Sequence, residues 1–223
     1  MRYIAKRQSP HEFERWRTDG KADGWSPRYR DLGGEDKRNL LRALLEEQAH
    51  LCCYCGSVIG EADSHIEHFR PQSRFEQLDL DYSNLHASCV RTPKGMRPTW
   101  HCGHAKENDF CEERFIAPTE EDCEQRFIYA LSGAVYATDP VDPGARYMSK
   151  LLGLDVEVLR ERRREALEEV FNDEFVRSTN EEQLRQYADS WRAAGSDGRA
   201  RKFGHVLARH AEQMIEDMRR ASP

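Results

Sequence analysis

The feature that most constrains this chain is a set of cysteines spread through a stretch with little else to fold it. "CCYCG" places Cys52 and Cys55 at C-x-x-C spacing, and Cys89 and Cys102 follow. From Leu51 to Cys111 no hydrophobic periodicity is sustained and turn formers are frequent. A bound metal organises such a segment more readily than a large apolar core does. Two thiolates at this spacing grip one tetrahedral Zn²⁺ from a tight turn, and Cys89 and Cys102 are the natural second pair. The intervening "VRTPKGMRPTWH" reads as a loop inserted in the second knuckle, and Cys111 could replace Cys102 if that loop folds differently. Cys53 should point away from the metal, and Cys123 reads as an ordinary buried thiol. A thioredoxin-like redox pair is disfavoured because no βαβ pattern surrounds Cys52 and Cys55.

The rest of the chain narrows the setting. Its 223 residues suit one domain, or one domain with a helical appendage. No apolar run is long enough to span a bilayer, and "MRYIAKRQSP" lacks the apolar centre of a secretory signal. A cytoplasmic location is therefore expected, where seven cysteines serve as metal ligands or bystanders rather than disulfides. A net charge of −6 does not suit a protein that grips phosphate over its whole surface. Any nucleic-acid contact must be local, metal-assisted or shared with a partner.

The expected plan has three segments: residues 1–50 as a polar loop and a buttress helix, 51–125 as a zinc-bound core, and 126–223 as a hairpin followed by helices. Leu40, Leu41, Leu44 and Leu45 give a helix from about Glu35 to Gln48 one apolar face. "RFIYALSGAVYA" reads as a hairpin turning at Ser132-Gly133, and "DPVDPG" as a linker. Asp155 can cap the next helix, and Ser178–Glu181 or Thr179–Glu182 can form a capping box for the one after. A last helix carries Phe203, Leu207, Ala211, Met214 and Met218. The fold class is α+β, mainly α around a small zinc-stapled core. The C-terminal third is a candidate docking surface.

Between the cysteine pairs lies "DSHIEHFRPQS". Phosphodiester hydrolysis needs an activated water and a counter-charge for the developing phosphorane. His68 titrates near neutrality and can act as the base. Glu67 points to the opposite strand face and suits a hard Mg²⁺ or Mn²⁺ ion. A side-chain amide bonded to His68 would fix its tautomer, and Asn84 is the candidate. "HCGHAKEND" supplies His104 as a second metal ligand, with Asn108 as the alternative. His65 and His86 read as structural or phosphate-facing. Arg91, Lys94 and Arg97 could touch phosphates or stay solvated, whereas Arg160, Arg162, Arg163 and Arg164 should pair with the glutamates among them.

The series C-x-x-C, Glu-His-x-x-Pro, Asn-Leu, Cys and Cys-x-His-x-Lys resembles the HNH endonucleases, whose ββα-metal fold arranges a hairpin and a helix around one catalytic metal. "MRYI", "LLEEQAHLCCYCG", "HIEHFRPQS", "DCEQRFIYALSGAVYA" and "LLGLDVEVLRERRREAL" are similar to the HNH proteins of Septu-type anti-phage defence, also found with retrons. The resemblance covers most of residues 1 to about 170 and fades beyond. It implies His68 as general base, Glu67 as metal ligand and Asn84 as the residue that orients the base. It also implies a 5′-phosphate product and an ABC-like or SMC-like ATPase partner. The chain departs from the common pattern three residues before Lys106, where Gly103 stands and offers no ligand; His104 is the nearest competent residue.

Two readings follow. One is a metal-dependent nuclease of nucleic acid, DNA favoured and RNA possible, with structural Zn²⁺ and catalytic Mg²⁺ or Mn²⁺. The other is a non-catalytic zinc-stapled module that binds nucleic acid or a partner. A zinc hydrolase is disfavoured, because four thiolates leave no open position for water.

Overall fold

The structure is a computed structural model and describes residues 1–22, 24–90 and 99–221. The expected loop cations Arg91, Lys94 and Arg97 fall outside these residues. Helices α1 (His11–Ala22) and α2 (Gly34–Glu47) lead to the first hairpin, β1 (Ser64–His68) and β2 (Leu85–Cys89). A four-residue helix α3 (Gly103–Lys106) completes a ββα unit. The second hairpin, β3 (Phe127–Tyr129) and β4 (Val135–Ala137), is followed by α4 (Pro143–Leu151), α5 (Glu157–Val170), α6 (Asp173–Ser178), α7 (Glu181–Arg192) and α8 (Gly204–Ala221). The protein is α+β: mostly helical, with two small antiparallel hairpins that do not join into one sheet.

Leu40, Leu41, Leu44 and Leu45 are buried on α2, as their spacing requires. Each such leucine contributes about 1.5–3 kcal/mol of burial. At the other end, α8 buries Val206, Leu207, Ala208, Ala211 and Ile215 against α7, β3 and α5. One continuous core runs from Met1 and Ile4 through Leu85 and Phe127 to Ile215. The three sequence segments all contribute to it, and the apolar stripes of α7 and α8 are spent inside the chain.

Several local expectations change. The N-terminal polar stretch contains helix α1, anchored by Phe13 at 4% exposure. A single buried anchor gives too weak a periodic signal to reveal a helix. Asp155 does not cap α5: its carboxylate accepts from Val135 N at 3.1 Å and pairs with Arg160. The capping box before α7 is Asn180 with Gln183, one residue beyond the expected pairs. "DPVDPG" is more than a linker, because Asp142 caps α4 by accepting from Gly144 N and Ala145 N. Arg163 does not join an intrahelical pair either; it is buried and donates to Gly133 O at 2.6 Å and Leu154 O at 2.7 Å. Gly133 has a φ of +79° at the hairpin turn, where a Cβ would collide with the α5 backbone.

Candidate metal centre and active site

The first hairpin is unusual in what it buries. β1 and β2 pair with Ser64 opposite Cys89, Glu67 opposite His86 and His68 opposite Leu85. Side chains alternate across a strand, so His65 and Glu67 share a face while His68 takes the other. Ser64, Glu67, His68, His86 and Ser88 are all buried. Such groups are costly inside a protein unless each finds a partner.

At the Cys89 end of the hairpin, the Sγ atoms of Cys52, Cys55, Cys89 and Cys102 all lie within 4.8 Å of one another. Cys55 and Cys89 are 3.5 Å apart, and Cys89 and Cys102 3.7 Å. A tetrahedron with Zn–S of about 2.3 Å has S···S edges of about 3.8 Å, so the quartet fits Zn²⁺. Burial opposes ionisation of Cys52, but hydrogen bonding from Cys102, Cys53, Cys55 and Cys89 outweighs it and pulls its pKa well down. The Cys89 N–H also points at Cys52 Sγ, at 3.4 Å. His101 Nδ1 stands outside the quartet, 3.3 Å from Cys102 Sγ. The alternative ligand Cys111 is excluded: it is half-buried and its thiol contacts Glu113 and Arg114.

Helix α3 links the cysteine quartet to Glu67 and His68. It starts directly after Cys102 and ends at Lys106, which is 1% exposed. Lys106 Nζ lies 2.8 Å from Glu67 Oε1 and donates to His68 O at 3.0 Å. The Tyr54 hydroxyl donates to the same Glu67 oxygen at 3.2 Å. Burial alone would raise the Glu67 pKa, but His65 and Lys106 outweigh it and hold the carboxyl below its ordinary value.

The other oxygen, Glu67 Oε2, lies 3.5 Å from His65 Nε2. His65 Nδ1 is 2.8 Å from Val90 O, and a carbonyl only accepts, so Nδ1 carries the proton. In neutral His65 two lone pairs then face each other, an arrangement that a cation relieves. Burial disfavours protonation of His65, yet Glu67 prevails and raises its pKa. Gly103 closes this space: a Cβ there would press on the Glu67 carboxylate and come within 2.7 Å of His65 Nε2. A carboxylate and an imidazole whose partner nitrogen is fixed suit a divalent cation that keeps water or substrate in its other positions.

His104 sits differently from its expected place. Its Nε2 donates to the same Val90 O at 2.6 Å, and its ring lies 4.6 Å from that of His65. His65 therefore meets Glu67 where the sequence suggested His104, and His104 stands beside it. Asn108 is exposed past the end of α3. Among the described residues, the cysteine quartet alone brings three or more His, Cys, Asp or Glu ligand atoms together.

On the opposite face, His68 Nε2 is 2.9 Å from Asp79 O and must be the protonated nitrogen. Nδ1 then presents its lone pair, which accepts from the Gln72 amide at 3.1 Å. Burial lowers the His68 pKa and keeps the ring neutral, the form a base requires. Tyr29 packs edge-on at 4.4 Å. The Asp79 carboxylate is itself fixed by Arg28 Nε at 2.8 Å and Tyr29 N at 3.1 Å.

Asn84 does not reach the imidazole. Its Oδ1 accepts from Arg70 N at 2.7 Å, and its Nδ2 donates to Arg70 O at 3.0 Å and Leu78 O at 3.1 Å. Backbone groups saturate the amide, so Asn84 ties together the loop that carries Asp79 and acts on His68 only through it. Sequence patterns did not point to His65, Lys106, Asp79 or Gln72 as members of the site. Strand alternation could have found His65, two residues before Glu67. For Asp79 and its clamp Arg28, 51 residues apart, no local pattern exists.

No family model matches the chain. It is similar to a protein of Vibrio cholerae serotype O1 biovar El Tor described as "Retron Vc95 putative HNH endonuclease", with 27% identity over 139 residues. The match takes in 59% of this chain and 63% of that relative, so the chain spans less than two thirds of the relative's length. No helix among the described residues is long and apolar enough to cross a membrane.

Proposed function

We propose that the chain is a metal-dependent HNH-type endonuclease that hydrolyses phosphodiester bonds in nucleic acid, DNA in the first instance. One observation carries the reading. His68 is a neutral imidazole with Nε2–H tied to Asp79 O and Nδ1 open as an acceptor, next in sequence to an anionic Glu67. His68 Nδ1 takes the proton of the attacking water once substrate displaces the Gln72 amide. Asp79 O stabilises the imidazolium that results, and Asn84 keeps the loop in place. Glu67 and His65 would hold Mg²⁺ or Mn²⁺, with His104 beside them; such an ion would supply positive charge to the phosphate and the leaving oxygen. Lys106 keeps Glu67 ionised.

The retron in the relative's description and the sequence motifs support a wider role as a cytoplasmic effector of anti-phage defence. There the chain works with an ABC-like or SMC-like ATPase and with retron components, and the partner supplies substrate affinity that a chain of net charge −6 lacks. The test is cleavage of labelled duplex DNA, single-stranded DNA and RNA in Mg²⁺, Mn²⁺ or no added metal. Divalent-dependent cleavage should fall by about 10²–10⁴-fold in His68→Ala. Binding without cleavage, with the ATPase present and absent, would favour the non-catalytic module.

A further inference from the structure

We propose that the groove between α4 and the loop after α3 is a phosphate track for the nucleic-acid strand cut at Glu67 and His68. The proposal rests on the nuclease reading and adds where the substrate runs. The groove encloses about 720 Å³ and is lined by Asp109, Arg114, Arg146, Tyr147, Lys150 and Leu151, among others. Arg146 and Lys150 are exposed and four residues apart, so they project from one face of α4. Neither forms an ion pair among the described residues. On the helices that follow, Arg177, Arg185, Arg219 and Arg220 are by contrast each paired with an acid on their own or a neighbouring helix. Both side chains are therefore free to meet an anionic ligand at the groove.

A third cation joins them. The Arg114 guanidinium lies 4.3 Å from the centre of the Tyr147 ring, held over the groove by a rigid aromatic platform. Asp109 is the sole acid in the lining. The groove lies two ring contacts from the candidate site. Phe69, which follows His68, packs on Phe115 at 5.4 Å between ring centres, and Phe115 packs on Tyr147 at 5.8 Å. Two ring steps correspond to a few nucleotides of one strand, which rises about 3.4 Å per base. A polyanion with regularly spaced phosphates is the ligand that uses such a row of cations so near a phosphodiester site.

The experiment uses the full zinc-loaded chain and a fluorescein-labelled duplex DNA, without Mg²⁺ or Mn²⁺, over a series of salt concentrations. Arg146→Ala/Lys150→Ala should weaken binding at least tenfold. It should also shrink the salt slope by about 2, because each phosphate that a cation neutralises adds about 0.9 to that slope. Arg146→Lys/Lys150→Arg should restore both. A charge-matched Arg219→Ala/Arg220→Ala variant on α8 should leave them near wild type. Unchanged affinity and slope in the α4 variant, or equal weakening in the α8 variant, would overturn the track and leave the nuclease reading intact. A wild-type chain that neither binds nor cuts nucleic acid, alone or with the ATPase present, would remove both.

Discussion

The two hairpins share antiparallel pairing and one core, yet they differ in the polar groups they bury. β3 and β4 bury Phe127, Tyr129 and Val135 against α8 and the neighbouring helices. β1 and β2 bury Ile66, Leu85 and Ala87, but with them Ser64, Glu67, His68, His86 and Ser88. An apolar hairpin needs only a packing partner. Buried polar groups need partners, and here Lys106, Tyr54, Asp79 and Val90 supply them to Glu67, His68 and His65, while His86 Nδ1 has none. The difference suggests what the cysteine quartet is for: a zinc held there would stabilise a hairpin that carries a buried carboxylate and imidazoles.

Removing that metal should separate the hairpins most sharply. Structural zinc contributes roughly 10–16 kcal/mol of apparent binding free energy in small zinc domains, far more than a side chain does. Hydrogen exchange after zinc chelation, or in Cys55→Ser, should show β1, β2 and α3 losing protection while β3, β4 and α8 keep most of theirs. Equal loss in both hairpins would mean that the shared core, not the metal, sets the stability of the first.

Glu67→Gln should destabilise the chain by about 3–5 kcal/mol in denaturant, because it leaves the Lys106 ammonium buried without its counter-charge. Adding Lys106→Met should recover much of that stability, but no cleavage. Phe127→Ala in the second hairpin should cost a similar amount, about 3–5 kcal/mol, and there both zinc content and activity per folded molecule should survive.

The smallest effect is a pH dependence beside the second hairpin. His205 is buried against Tyr129, and burial first, then the Met1 ammonium, Arg2, Arg192 and Arg163, lowers its pKa well below 6.5. The unfolded chain therefore binds the proton more readily. This contribution is complete above about pH 6.5 and is lost as pH falls toward the folded value. Wild type should lose more stability from pH 7 to pH 5 than His205→Leu; parallel profiles would show that His205 charges in the folded protein.

What the sequence made legible follows the same division. The leucine face of α2, the β3–β4 hairpin around Gly133 and the α8 stripe were readable because apolar spacing reports packing directly. The cysteine quartet was readable because ligand spacing reports a metal. Helix α1 was obscured by its polarity. The Glu67–His65 juxtaposition was available from strand alternation, but the Cys-x-His-x-Lys motif drew attention to His104. The clamp that runs from Arg28 through Asp79 to His68 joins distant residues by one backbone carbonyl, and side-chain patterns carry no trace of it.

The central claim is that one short hairpin serves two metals of different kinds, a closed thiolate site and a weak cation site at Glu67. The most direct measurement is a Mn²⁺ titration followed by electron paramagnetic resonance, with zinc counted in the same samples. Wild type should hold one zinc per chain through dialysis and bind one further Mn²⁺ weakly. Glu67→Gln with Lys106→Met should keep the zinc and lose the Mn²⁺. Mn²⁺ binding that is absent from wild type, or unchanged in the double variant, would contradict the account.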